Sequence, residues 1–299
     1  IGSELCRQLA RFNPAELIML DRDESALHEV QLSIHGRALL NTPQTVLADI
    51  RDAATIKHIF ATRKPEVVFH AAALKHLPLL ETYPSEAYQT NVLGTLTMLE
   101  ASAEVGVKVF VNISTDKAAN PISVLGYSKR IAERITAYFG KTVSTGKYMS
   151  VRFGNVLGSR GSVLMSFRDQ IANGGPLTVT HRGVTRYFMT ISEAVQLVIQ
   201  AGAIGKSGEA LVLDMGTPVS IYEVAKQLVA NSGKTIEIEI VGLRAGEKVH
   251  EELFGDGETD TRNAHPLISH VQVPPVASNA IPVSATDARQ LMIDLVASA

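Results

Sequence analysis

Residues 67–114 read VVFHAAALKHLPLLETYPSEAYQTNVLGTLTMLEASAEVGVKVFVNIS, and this stretch decides the fold. It opens on a near-continuous apolar run, Val67–Ala72, and closes on another, Val109–Ser114, with a helix-length segment, Ser85–Val105, between them. Two apolar strands joined by a helix of that length make a parallel crossover, covered on both faces. The rhythm extends in both directions. Upstream, Glu16–Asp21 (ELIMLD) reads as a strand, Glu24–Leu39 as a helix, Thr45–Asp49 as a short strand and Ala53–Arg63 as a helix. Downstream, Ile122–Phe139 reads as a helix and Tyr148–Phe153 (YMSVRF) as a strand. The expected class is α/β with a doubly wound parallel sheet.

After about residue 154 the rhythm loosens. Glycine and proline gather at Gly154-Asn155, Gly158–Gly161 and Gly174-Gly175-Pro176. Helices are expected at Ser192–Ala201 and Ser220–Ser232, and a strand at Leu211–Asp214. The chain then divides into 1–154, a dinucleotide-binding domain of Rossmann type; 155–272, mainly a smaller substrate lobe with elements returning to the sheet; and 273–299, a weakly patterned tail with three prolines.

Composition excludes several classes. Of 299 residues, 45% are hydrophobic and 19% charged, enough for a sizeable core and too apolar for wholesale disorder. Lys plus Arg (28) nearly balances Asp plus Glu (30), so a net charge of −2 provides no global field for nucleic acid or an acidic membrane. The single cysteine, Cys6, excludes an internal disulfide framework and a Cys-rich zinc site, and suits a reducing, cytoplasmic compartment. No apolar run approaches the roughly 20 residues of a membrane span, and no signal peptide is visible. The chain opens Ile1-Gly2-Ser3-Glu4-Leu5-Cys6-Arg7-Gln8-Leu9, a helix with no strand before it. The expectation is a fragment cut on its amino-terminal side, with the first strand of the sheet missing.

A dinucleotide site uses a glycine-rich turn between the first strand and first helix, whose amides hold the pyrophosphate. Gly2 stands where the end of such a turn would be. Asp21 ends the next strand about 20 residues on, where a carboxylate takes the ribose hydroxyls. Arg22 follows at once and suits a 2′-phosphate, so Asp21 favours NAD while Arg22 keeps NADP open. Asp49 and Ile50 close the next strand, where adenine would lie. Ala71 and Ala72 close the one after, with side chains too small to obstruct a cofactor. Each of these has an ordinary packing alternative, and their order along the chain is what joins them.

Ser114-Thr115-Asp116-Lys117 follows the next strand, and Lys129 lies in the helix beyond. Together with HAAALKHLPLLE (70–81), NVLGT (91–95), STDKAANP (114–121), RFGNVLGSRGSV (152–163), TRYFMT (185–190) and GEKVHEEL (246–253), this chain resembles the nucleotide-sugar 4,6-dehydratases of bacterial polysaccharide biosynthesis, in the extended short-chain dehydrogenase/reductase family. The resemblance covers about residues 1–255. It implies an NAD- or NADP-dependent 4,6-dehydration of UDP-N-acetylglucosamine to a 4-keto-6-deoxy UDP-sugar. It departs from the wider family at one place. The Tyr of Tyr-x-x-x-Lys is Leu125, and Tyr127 stands only two residues before Lys129, about 200° round a helix. Tyr127 then faces away from Lys129, unless the helix is distorted where it starts at Gly126. The long, membrane-anchored branch of the family carries an apolar residue at the Tyr position. The resemblance therefore implies a parent chain anchored to the inner membrane by a segment absent here.

Elimination across C5 and C6 of a 4-ketosugar needs an adjacent acid and base. Asp116 and Lys117 fit, and the resemblance implies Asp116 as acid and Lys117 as base. A lysine base must be held neutral, by burial or by a nearby cation such as Lys129. Thr115 can hydrogen-bond the C4 oxygen, and Lys129 the nicotinamide ribose. The bland alternative for Asp116–Lys117 is a surface ion pair. For the UDP end, the resemblance offers Asn155 after the next strand, Arg186 and Arg244 as pyrophosphate clamps, and Glu247 as a uridine-ribose acceptor. Lys75 and His76 come near the sugar. His181 and His250 lack metal-ligand spacing, and no metal is expected. The expected partner is a UDP-sugar, with a homo-oligomer formed by pairing Ser85–Val105 and Ile122–Phe139 between copies. The competing functions are a UDP-sugar 4-epimerase and a non-catalytic NAD-sensing module.

Overall fold

The computed structural model describes residues 1–38, 40–159 and 161–298. In chain order the first elements are α1 (Gly2–Ala10), β1 (Met19–Asp21), α2 (Glu24–His35), β2 (Thr45–Leu47), α3 (Ala53–Arg63) and β3 (Val67–His70). There follow α4 (Leu77–Thr82), α5 (Pro84–Ala87), a π-helical segment Tyr88–Leu93, α6 (Gly94–Val105), β4 (Val109–Ile113), a tight 3-10 turn Asp116–Ala118, α7 (Val124–Thr142) and β5 (Lys147–Arg152). The rest comprises β6 (Asn155–Leu157), α8 (Val163–Ala172), β7 (Leu177–Val179), β8 (Thr185–Arg186), β9 (Phe188–Thr190), α9 (Ile191–Ile204), β10 (Glu209–Leu213), β11 (Val219–Ser220), α10 (Ile221–Ser232), β12 (Ile238–Ile240), β13 (Ile268–Gln272) and α11 (Ala288–Ala297).

The main sheet has the order β13-β10-β5-β4-β3, parallel throughout except for β13. Side chains alternate across it, as the two-residue period of a strand requires. Phe110 and Tyr148 face Ile56 and Phe60 of α3, Leu99 of α6 and Ile131 and Ile135 of α7. Val111, Met149 and Val151 face Leu5 of α1 and Val195, Val198 and Ala201 of α9. Helices thus cover both faces, and the fold is the doubly wound Rossmann type. β1 and β2 form a separate parallel pair. Among the described residues β1 pairs only with β2 and β3 only with β4, so β1 and β3 are both edge strands. Beyond β5 a smaller set of elements surrounds Phe167, Leu177, Val179, Val184, Ile221 and Ala225, with the short pairs β7–β12 and β8–β11 beside them.

Four expectations need correction. The helix read as Ser85–Val105 is interrupted by the π turn at Tyr88–Leu93. The side chain of Asn91 there holds both the N–H and the C=O of Leu74, at 2.8 and 3.0 Å. The helix read as Glu24–Leu39 ends at His35, because Gly36 adopts a left-handed conformation (φ 69°) that stops it; Leu39 lies outside the described residues. Residues 273–298 are no loose tail. Val276, Ile281, Ala288, Met292 and Leu295 are buried in the same core cluster as α7. Arg134 of α7 donates to the carbonyls of Pro274, Leu295 and Val296. As a result no residue from Ser123 to Gly140 is exposed, and the paired-helix dimer finds no free face on α7.

Candidate active site

The end of β4 is zipped to β5 by Ser114 N–H on Val151 O (2.7 Å) and Asp116 N–H on Phe153 O (3.0 Å), which fixes the turn that follows. Gly126 lets α7 press against that turn: a Cβ there would lie 2.4 Å from the carbonyl oxygen of Lys117. Asp116 is fully buried. Its Oδ1 accepts from Thr115 Oγ1 (2.9 Å) and Lys117 Nζ (2.9 Å), and its Oδ2 is buried without a hydrogen-bond partner among the described residues, facing Gly154. Lys117 Nζ also reaches Asn155 Oδ1 and Glu251 Oε1, both at 3.4 Å. Thr115, Asp116, Lys117 and Asn155 therefore converge, which places Asn155 beside the acid–base pair and not only toward the UDP end where the resemblance put it.

The charge state of Lys117 is a correction. Burial pulls an ammonium toward the neutral form, but Asp116 and Glu251 outweigh it and hold Lys117 above the ordinary lysine value. The Arg186 guanidinium pulls the other way, toward the neutral amine, by a smaller amount. Lys129 is buried beneath the sheet end and donates to Ile113 O at 2.7 Å. Burial lowers its pKa to about 8, against the opposing pull of Glu133. Its charge bears on His70, which burial above all holds near 3 and which hydrogen-bonds Thr95 Oγ1 at 2.9 Å. Leu125 is buried in the apolar core, and Tyr127 packs half-buried on the same cluster. Ser123 caps Gly126 N–H (3.1 Å), and the Tyr127 N–H meets Ser123 O at 2.8 Å, so the helix starts without distortion.

Glu133, fully buried, joins three elements: it accepts from Ser114 Oγ (2.7 Å) and from Arg152 Nε and Nη2 (3.0 and 2.8 Å). Arg152 continues to Glu258 at 2.6 Å and to Leu253 O at 2.9 Å. The segment 244–258 is thereby strapped across the site.

Arg186, on β8, and Glu247, on that strap, face each other. Arg186 Nη1 donates to Thr185 O (2.7 Å) and Val249 O (3.2 Å), and its Nη2 to Glu247 Oε1 (3.1 Å). Glu247 also accepts from Thr180 Oγ1 and from the backbone of Arg244. These contacts tie β8 to the strap at the edge of the site. Arg244 is exposed, and its guanidinium has no partner among the described residues. His76 lies under Gly161, whose added Cβ would stand 2.6 Å from the imidazole, and partial desolvation lowers the pKa of Lys75. His181 and His250 bond to Gly183 N–H and Thr185 Oγ1, and no metal-holding group of three acidic, His or Cys residues occurs among the described residues.

At the cofactor edge, Gly2 starts α1 against Ala71, and α1 has no side-chain cap on its first amides. Asp21 is exposed at the end of β1 and accepts from Asp23 N–H at 3.0 Å. Arg22 lies 3.6 Å from Asp49, which Arg51 also grips at 2.8 Å. Ile50 is buried under Gly94 and belongs to the core, while Ala72 stays exposed. Sequence reasoning missed Glu251, Glu133, Asn91 and Arg51. Glu251 lies inside the quoted GEKVHEEL segment and Asn91 inside NVLGT, so the segments were visible but not the roles.

Residues 1–273 match the family model described as polysaccharide biosynthesis protein. The chain belongs to that family. It is 48% identical over 272 residues to the probable polysaccharide biosynthesis protein EpsC of Bacillus subtilis, and 46% identical over 274 residues to the capsular polysaccharide biosynthesis protein CapD of Staphylococcus aureus. Each match covers 90% of this chain and 45% of the relative, so the chain spans about half the length of these curated relatives. A Rickettsia akari protein named UDP-glucose 4-epimerase is 34% identical, over 87% of this chain and 74% of its own. Among solved structures, Pen from Bacillus thuringiensis superposes with a TM-score of 0.83 at 28% identity, covering 100% of this chain and 96% of Pen. DesIV from Streptomyces venezuelae, a dTDP-glucose 4,6-dehydratase solved with NAD bound, shares the fold at TM-score 0.72 and 22% identity over 85% of each chain. This member of the polysaccharide biosynthesis family thus shares its fold with DesIV and is related in sequence to a protein named UDP-glucose 4-epimerase.

Proposed function

We propose that this chain is the catalytic domain of a UDP-N-acetylglucosamine 4,6-dehydratase. The carrying observation is the direct contact, at 2.9 Å, between fully buried Asp116 and partly buried Lys117 at the end of β4, with Leu125 where an epimerase would keep its tyrosine. A dehydratase needs an acid and a base side by side, and an epimerase does not.

The residues fit a nicotinamide dinucleotide. The uncapped first amides of α1 lie beside Ala71, Asp21 stands exposed at the end of β1, and Lys129 is buried at the end of β4. Bound there, NAD or NADP accepts and returns the hydride. Lys129 holds the nicotinamide ribose, Asp21 the adenosine ribose, and Thr115 orients the C4 oxygen of the sugar. Asp116 and Lys117 exchange protons with C5 and with the departing C6 hydroxyl. Asn155 keeps the Lys117 amine aimed, while Lys75, His76 and Arg244 face the sugar nucleotide.

Epimerisation at C4 is the second reading, favoured by the 34% identity to a protein named UDP-glucose 4-epimerase. Proton NMR of UDP-N-acetylglucosamine with the chain and NAD decides between them. Dehydration gives a new C6 methyl signal. A second hexose configuration with C6 still hydroxylated overturns the dehydratase reading.

A further inference from the structure

Glu251 has no role in the chemistry as set out above, yet its carboxylate is placed against the reacting pair. Its side chain is 3% exposed, with Oε1 3.4 Å from Lys117 Nζ and 3.9 Å from Arg186 Nε. Oε2 is buried and has no hydrogen-bond partner among the described residues. Anchoring Arg186 does not account for it, because Glu247 and two backbone carbonyls already engage that guanidinium. A buried carboxylate left half-satisfied is costly, and a structural residue has no reason to bear that cost.

We propose that Glu251 is a positioning residue that keeps the proton of the Asp116–Lys117 pair on the lysine, making Lys117 the acid of the elimination and Asp116 its base. This rests on the dehydratase reading and reverses the roles that the family resemblance implies. In the 4-ketosugar, the Asp116 carboxylate takes the C5 proton. The C5–H electron pair becomes the C5–C6 double bond as the C6–O bond breaks. The Lys117 ammonium gives one proton to the departing hydroxyl, which leaves as water. The pair is then carboxylic acid and neutral amine, and one proton moving along the 2.9 Å contact resets it. The charged groups facing Lys117 are Asp116 from its own turn, Glu251 from the strap and Arg186 from β8. Losing Glu251 leaves one carboxylate against burial and a guanidinium, so the ammonium gives up its proton more readily.

The test is Glu251→Gln in the whole chain, with Glu251→Asp as the conservative rescue. Without substrate, the midpoint for pH-dependent reductive methylation of Lys117, read by mass spectrometry, falls by about one unit or more in Glu251→Gln and recovers in Glu251→Asp. With substrate and NAD, the alkaline limb of the dehydration profile moves down by the same amount while KM changes little. An unmoved midpoint overturns the proposal, and so does a uniform loss of rate at every pH, which is what a purely structural role would give. Movement of the acidic limb instead would make Lys117 the base and overturn the assignment. A shifted midpoint in a chain that never dehydrates the sugar retains Glu251's hold on Lys117 but overturns the acid role together with the dehydratase reading.

Discussion

Two lysines, Lys117 partly buried and Lys129 buried, lie at the end of β4 with opposite electrostatics. Lys117 is flanked by two carboxylates and held as an ammonium, whereas Lys129 has a carbonyl as its nearest partner and is pulled down to about 8. We expect Asp116→Asn and Lys117→Met each to lower dehydration by at least about 10²-fold, the usual scale of a lost proton-transfer group. Near-normal turnover in either variant rules the pair out. Tyr127→Phe should stay within a few-fold of wild type, since the tyrosine packs on the core away from Lys129. A loss as deep as that of Lys129→Ala would give the hydroxyl a catalytic part. Lys129 also carries a pH signature. Its folded pKa lies below the unfolded one, so wild type bears a cost for the buried charge below about pH 8 that fades as pH rises toward the lysine reference value. Lys129→Met should therefore unfold at higher denaturant than wild type at pH 7, by about 3 kcal/mol before the lost contact to Ile113 O is subtracted, and the advantage should shrink between pH 8 and 10.5. Urea melts across that range check it, and an advantage that grows with pH would contradict the burial of Lys129.

At the scale of elements, the reactive turn depends on how closely α7 approaches it. A methyl group at position 126 meets the Lys117 carbonyl at 2.4 Å and Pro121 Cβ at 2.9 Å, and backbone cannot swing aside as a side chain can. Gly126→Ala is expected to cost about 1–3 kcal/mol of stability, the scale of overpacking, and to lower turnover more than cofactor affinity because Lys117 moves. Thermal melts and kcat together test this; unchanged kcat would mean that the turn does not need α7 to hold it. The π turn is a second device of this kind. It presents the Asn91 amide to Leu74 and to Ser128 Oγ (3.0 Å), tying the Lys75–His76 loop to α7. Helical periodicity in the sequence covers 84–105 without a break, so a one-residue expansion of the hydrogen-bond ladder leaves no apolar signature there.

Among the described residues β1–β2 and the main sheet are not hydrogen-bonded to each other, and the open edges of β1 and β3 carry consequences for residues 1–299 taken by themselves. Beside β3 lies an apolar cavity of about 250 Å³ lined by Leu9, Phe12, Val67, Phe69 and Ile199, among others, with Phe12 71% and Val67 50% exposed. Unpaired strand edges beside exposed apolar side chains template association. Residues 1–299 by themselves should self-associate as concentration rises, and light scattering that stays monodisperse would contradict this. The element order, the covered parallel sheet and the Asp116–Lys117 pair at a strand end were legible in the sequence, because apolar period and strand termini are local properties of neighbouring residues. Tertiary structure alone decided what surrounds them. Glu251 reaches Lys117 from far downstream only because the Glu133–Arg152–Glu258 network straps its segment across the site. Arg186 of β8 turns inward onto Glu247 of that same strap. The proline-rich end, patternless as a sequence, covers α7 through Arg134 and a few buried apolar side chains. Charge pairing and burial depend on distance in space, and in these places the partners are far apart along the chain.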